Sequence, residues 1–272
     1  MWWATTGNAA RRRRLAPAML VGLVAAGHPA GATVVLQAVA AVETRDPPTV
    51  HLVVSNTGTE TAHDVVPELL YQHRTYDGER AQLEPTIRRA WRFALAPPDG
   101  VGTFPATLRV RWSDPDAGAG SLVLVVLVAT PGALESPLAA TWTVEPITRL
   151  GHAHLQLENP GAVPVAGRVV FVLPDHLTTE PESEPAAVPA GGRTTVPLVI
   201  ENRGAPPGRS YSISAVFTYT ESGTHHAVLA ETTAPVVGGS GADRIPPLAI
   251  GAGALAVALG LLAVAWRAAR RR

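Results

Sequence analysis

The sequence predicts an all-β protein of two tandem immunoglobulin-like antiparallel sandwiches, with a signal peptide before them and a transmembrane helix after. Three observations carry this. The middle of the chain alternates apolar and polar residues with period two; its strand patterns recur at offsets of 103 to 107 residues; and both ends combine an apolar run with an arginine cluster. Gly and Pro number 25 each in 272 residues, which favours many turns over long helices.

At the N-terminus, "RRRRLAPAML VGLVAAGHPA GA" sets four arginines before a short apolar run and then the small residues Ala30, Gly31 and Ala32. That is the three-part form of a secretory signal peptide, with residues 1–32 removed by cleavage after Ala32 and Ala30 completing the small-residue site. The apolar run is too short to span a bilayer comfortably. The arginine pairs invite a twin-arginine reading, but the continuation of that signal is missing.

Residues 33–132 and 133–238 read as the two sandwiches. In "FPATLRVRWSD", Phe104, Ala106, Leu108, Val110 and Trp112 share one face, while Thr107, Arg109, Arg111 and Ser113 fall on the other and are expected to face solvent. In "YSISAVFTYTE", Tyr211, Ile213, Ala215, Phe217 and Tyr219 share a face. An offset of 107 superposes these two strands and sets "AWRFALAPPDGVG" against "PLVIENRGAPPGR"; upstream, "HLVVSNTG" and "HLQLENPG" match at 103. The chain therefore uses one unit twice. The Asn-x-Gly endings at Asn56, Asn159 and Asn202 read as strand terminators: Asn bonds its own neighbouring backbone, and Gly supplies positive φ. "TTEPESEPAAVPAGG" at 178–192 reads as an exposed, Pro-rich loop.

A strand ending "VSNTG", then "TAHDVVPELLY", "IRRAWRFAL" and "GTFPATLRVRWSD", is similar to bacterial immunoglobulin-like domains of the NEW3 and CARDB type, and "LENPG", "VAGRVVFVLP", "RTTVPLVI" and "GRSYSISAVFTYTESG" repeat the pattern. The resemblance implies seven-stranded sandwiches that serve as accessory modules on envelope proteins and glycosidases. No catalytic residues come with it.

Beyond the sandwiches, residues 239–247 form a juxtamembrane linker, 248–266 are 19 uncharged residues long enough to span the hydrocarbon core, and 267–272 hold a basic tail that stays cytoplasmic. "VVGGSGADRIPP" before the span resembles a GlyGly-CTERM sorting tail, although "ADRIPP" separates its glycines from the helix; a flexible linker is the simpler reading.

Every basic residue is Arg, and no acidic residue lies before Glu43 or after Asp243. The eight terminal arginines leave 14 Arg against 22 acidic residues in the middle, a net charge of −8 that argues against a nucleic-acid partner. The chain has no Cys, which excludes disulfides, thiolate metal sites and thiol catalysis.

Candidate chemistry is sparse. His152 and His154 share a strand face with Gln156 and Glu158 and could ligate one metal, with His225 or His226 adding a third donor; an ordinary polar face explains them as well. Asp114, Asp116 and Gly118 resemble the start of a calcium loop without its twelfth-position Glu, and a hairpin turn is the competing reading. No nucleophile elbow, phosphate loop or dinucleotide fingerprint occurs. The expectation is a non-catalytic, single-pass protein of the cell membrane, without cofactor, whose exported modules act as a spacer and bind an envelope protein or a glycan. An exported hydrolase or metal-dependent enzyme with a dispersed site is the alternative.

Overall fold

In the computed structural model, residues 20–22, 33–44, 47–115 and 118–238 are described. The expected cleavage site at Ala30 and Ala32, the linker, the span at 248–266 and the tail lie outside them. Among the described residues no helix is long and apolar enough to cross a membrane.

The described residues are all β. In the first half, β1 (Leu20–Gly22), β2 (Leu36–Glu43), β3 (Thr49–Asn56) and β7 (Arg88–Ala94) form one antiparallel sheet in the order β1-β2-β3-β7. β1 falls within the segment expected to be a signal peptide. Facing this sheet, β8 (Val101–Ser113) pairs with β9 (Ala119–Ala129) on one side and β4 (Ala62–Tyr71) on the other, and β4 also holds the short β5 (Arg74–Asp77) and β6 (Ala81–Leu83). The alternating residues of both sheets meet in one core that includes Leu36, Leu52, Leu69, Leu108 and Leu124, each no more than 1% exposed.

The second half repeats the plan. β10 (Ala139–Val144), β11 (Leu150–Glu158), β15 (Arg193–Asn202) and β13 (Leu177–Thr179) make one sheet; β14 (Ser183–Val188), β12 (Val165–Val172), β16 (Arg209–Glu221) and β17 (Thr224–Val236) make the other. A separate core includes Leu155, Leu157, Phe171, Ile213 and Phe217. The arrangement is sandwich-like and compatible with immunoglobulin-like topology.

The strand registers test the proposed repeat. Phe104 and Tyr211 both point inward, as the 107 offset requires, and Asn56 is the last residue of β3 while Asn159 directly follows β11. For β7 and β15 the offset is corrected to 105: β3 pairs Val50 with Phe93, and β11 pairs Ala153 with Leu198. Both offsets are odd and preserve the inward face, so periodicity alone could not separate them.

The segment 178–192 is not a loop. It contains the end of β13 and all of β14, with Thr179, Ala186 and Val188 buried. Among the described residues β14 pairs only with β12, and an edge strand tolerates Pro185 because the missing N–H faces no second partner.

Candidate functional site

The Asn-x-Gly residues are built into the backbone. Asn56 is fully buried; its Nδ2 donates to the carbonyls of Glu60 (2.7 Å) and Leu83 (2.9 Å), and its Oδ1 accepts from Gly58 N–H (3.0 Å). Asn159 makes the same set with Val163 (2.8 Å), Val188 (3.5 Å) and Gly161 (2.9 Å). Asn202 differs, bonding Thr148, Ala205 and Gly204. The reason for glycine is also different from expectation in the first copy. Gly58 has no positive φ; a Cβ there would lie 2.2 Å from the Thr33 carbonyl oxygen, so close approach excludes a side chain.

The candidate metal ligands are dispersed. His152 and His154 are exposed on the outer face of β11, beside Val199 and Pro197 of β15. His225 stacks on Phe104 (centroids 4.5 Å apart, planes at 7°), and its Nδ1 lies 2.7 Å from the Thr103 carbonyl oxygen. His226 turns the other way, buried and stacked on Tyr219. Neither joins His152 and His154. Among the described residues no group of three His, Asp or Glu side chains is placed to hold a metal ion. Asp114 closes the β8–β9 turn: its Oδ1 accepts from Gly118 N–H (2.7 Å), and its own N–H donates to the Gly118 carbonyl (2.9 Å). Asp116 lies outside the described residues.

The two sandwiches are joined more closely than alternation suggested. At the start of β8, Val101 and Gly102 pair in parallel with Thr224 and His225 of β17, making one continuous sheet across both halves. Gly102 is required there, since its φ is +142° and a Cβ would lie 2.0 Å from the His225 carbonyl oxygen. Beside this junction, Val123 and Val125 of β9 bury their outer face against Val172, Val216 and Ala227. A polar set flanks that seam. Asp175 receives Arg109 (3.0 Å) and Arg111 (2.8 Å), Asp175 N–H donates to Ser121 Oγ (2.7 Å), and Glu68 lies 3.7 Å from Arg111. The bond to Asp175 holds the Arg111 guanidinium above its ordinary pKa. Arg109 and Arg111 therefore do not simply face solvent; the second sandwich supplies their partner.

Where β8 and β9 leave the seam, a cavity of about 330 Å³ opens between the halves. Trp112, Asp114 and Gly120 line it from the first sandwich, and His176, Arg209 and Tyr211 from the second. Trp112 ends the inward face of β8 but is only half-buried at the rim of the core. Its indole lies over Gly120, its cross-strand partner, where a Cβ would come within 2.3 Å of the ring. Tyr211 is 6% exposed, and burial pushes its phenol above the ordinary tyrosine pKa, with Arg209 opposing. His176 Nε2 lies 2.8 Å from the Ala119 carbonyl oxygen, which can only accept, so Nε2 carries a proton and Nδ1 is left to accept in the neutral ring. No motif in the sequence gathers these residues; the pairing of Trp112 with a glycine across the hairpin is their one local sign.

No family model and no curated protein matches the chain. Solved structures that resemble it do so weakly. A Salmonella alpha-2-macroglobulin is 11% identical over 74% of this chain and 16% of its own, with a TM-score of 0.32. A red sea bream transglutaminase is 14% identical over 79% and 31%, with a TM-score of 0.25. A bacterial ice-binding adhesin, described in connection with host cell surface retention, is 13% identical over 71% and 59%, with a TM-score of 0.25. The chain thus spans about a sixth of the macroglobulin it resembles.

Proposed function

We propose that this chain is a non-catalytic protein of the cell envelope, anchored by the apolar span at 248–266, whose two immunoglobulin-like sandwiches act together as a rigid spacer that presents a binding surface to a protein or glycan partner. The observation that carries the reading is the junction. A continuous sheet, an apolar seam at Val125 and Val216, and the Arg109–Asp175–Arg111 ion pairs hold the halves against each other. Independent modules on a flexible linker would need none of these. A fixed pair of sandwiches suits holding a surface at a set distance from a membrane, in keeping with the resemblance of the sequence motifs to NEW3 and CARDB modules.

Topology and binding are tested separately. Protease added to spheroplasts should digest the sandwiches while sparing an epitope tag placed after Arg272; protection of the whole chain would overturn the envelope reading. A pull-down from solubilised envelope with the intact protein should retain a protein or glycan at stoichiometric levels. Hydrolytic turnover abolished by changing His152, His154 or Asp114 would replace the spacer reading with an enzymatic one.

A further inference from the structure

The cavity between the sandwiches holds several polar groups with unspent hydrogen-bonding capacity. Tyr211 is more than nine-tenths buried, yet its hydroxyl has no hydrogen-bond partner among the described residues. Unlike the Tyr71 hydroxyl, that of Tyr211 is not a buried orphan: it stays reachable from the cavity and is free to bond a ligand or solvent there. The Trp112 indole N–H donates to no described group, and Arg209, whose charge acts on Tyr211, has no ion-pair partner among the described residues. His176 retains Nδ1 as an acceptor, and Asp114 commits only one carboxylate oxygen to the turn.

The repeat makes this opening specific to one corner. Tyr219 occupies in the second sandwich the position of Trp112 in the first. There the corner is filled: His226, the cross-strand partner, stacks on the Tyr219 ring at 4.7 Å, and Ser136 Oγ lies 2.9 Å from its hydroxyl. In the first sandwich the cross-strand partner is Gly120, which lies against one side of the indole with backbone alone and brings no side chain to fill the corner.

We propose that the junction cavity is a saccharide-binding site, taking one neutral pyranose of a glycan chain between the Trp112 indole and the polar groups of Tyr211, Arg209, His176 and Asp114. The inference rests on the binding-module reading above and gives it a ligand class. A pyranose has an apolar C–H face that packs on an aromatic ring, and hydroxyls that both donate and accept. The cavity offers donors at Trp112 Nε1, Tyr211 and Arg209 and acceptors at Asp114 and His176 Nδ1. A simple anion would meet Asp114, and a simple cation would meet Arg209, so the mixed set favours a neutral, polyhydroxylated ligand. The volume lies at the lower end of the range for small-molecule sites, which suits one ring and part of its neighbour. Because both sandwiches line the cavity, binding also strengthens the junction.

The test is calorimetric titration of the purified full-length protein in detergent with four neutral tetrasaccharides: chitotetraose, cellotetraose, maltotetraose and mannotetraose. At least one should bind with a Kd near or below about 1 mM, a binding free energy of about −4 kcal/mol. Trp112→Ala should weaken that binding at least tenfold. Tyr211→Phe, which keeps the buried ring and removes only the hydroxyl, should also weaken it severalfold while leaving the melting temperature unchanged. Failure of all four sugars at about ten times that Kd, or binding indifferent to both substitutions, overturns the proposal. Binding of peptides alone from the pull-down would also overturn it, while leaving the binding-module reading intact; cytoplasmic topology with intact sugar binding would overturn the envelope reading and leave this proposal standing.

Discussion

Asn56 shows how much one polar side chain can hold in place. It joins the end of β3 to the β3–β4 turn and to the end of β6 through three hydrogen bonds, with no exposure to solvent. Asn56→Ala removes those bonds and leaves the Glu60 and Leu83 carbonyls short of a donor. We expect a loss of about 2–4 kcal/mol in denaturant unfolding, with Asn159→Ala losing a similar amount from the second core. Tyr71 is the opposite case. It is 1% exposed, its hydroxyl has no partner among the described residues, and burial pushes its pKa up to about 12, with Tyr76 and Asp99 adding to the rise. A folded-state pKa above the unfolded value of about 10 means that stability is fully present below pH 10 and declines as the pH rises toward 12. Thermal melts across that window should fall more steeply for the wild type than for Tyr71→Phe. At neutral pH the variant should be at least as stable, since it removes a buried hydroxyl that bonds to nothing.

At the scale of elements, β8 and β9 show where alternation informs and where it stops. The inward residues of β8 from Phe104 to Val110 are all buried in the core, as period two requires. The opposite face carries Arg109 and Arg111, polar in type and structural in role, because their partner Asp175 lies on the β12–β13 connection some 64 residues away. Arg111→Ala and Asp175→Ala, singly and together, should show a coupling energy of about 1 kcal/mol in a double-mutant cycle, since the pair is half-exposed. Additive effects would show that the pair contributes nothing. In β9 the run Leu122 to Val126 is apolar at every position and buried on both faces. That pattern was visible in "SLVLVVLV", and it marks a strand covered from two sides. What covers its second face could not be read locally. The strand β14 was hidden for a different reason: its prolines and acids resemble a loop, and only its edge position makes them compatible with pairing.

For the whole molecule, the seam predicts how the halves unfold. Val216 is 2% exposed in an apolar contact shared by both sandwiches, on the face of β16 opposite its own core. Val216→Asp places a charge in that contact without entering either core. Calorimetry should then resolve two transitions where the wild type melts in one, because the sandwiches lose the interface that couples them. A single unshifted transition would show that the seam carries no coupling.

The inward faces of the strands, the doubling of the unit and the Asn-terminated strand ends were all determined by the sequence itself, because each depends on period two or on bonds spanning a few residues. The registers of β7 and β15, the partner of Arg111, the second cover of β9 and the cavity beside Trp112 were decided by tertiary structure alone. An even slip in register leaves every side chain on its own face, so alternation is blind to it. The junction brings together Gly102 with His225 and Trp112 with Tyr211, about a hundred residues apart, and the repeat that made the two halves legible carries no information about how they meet.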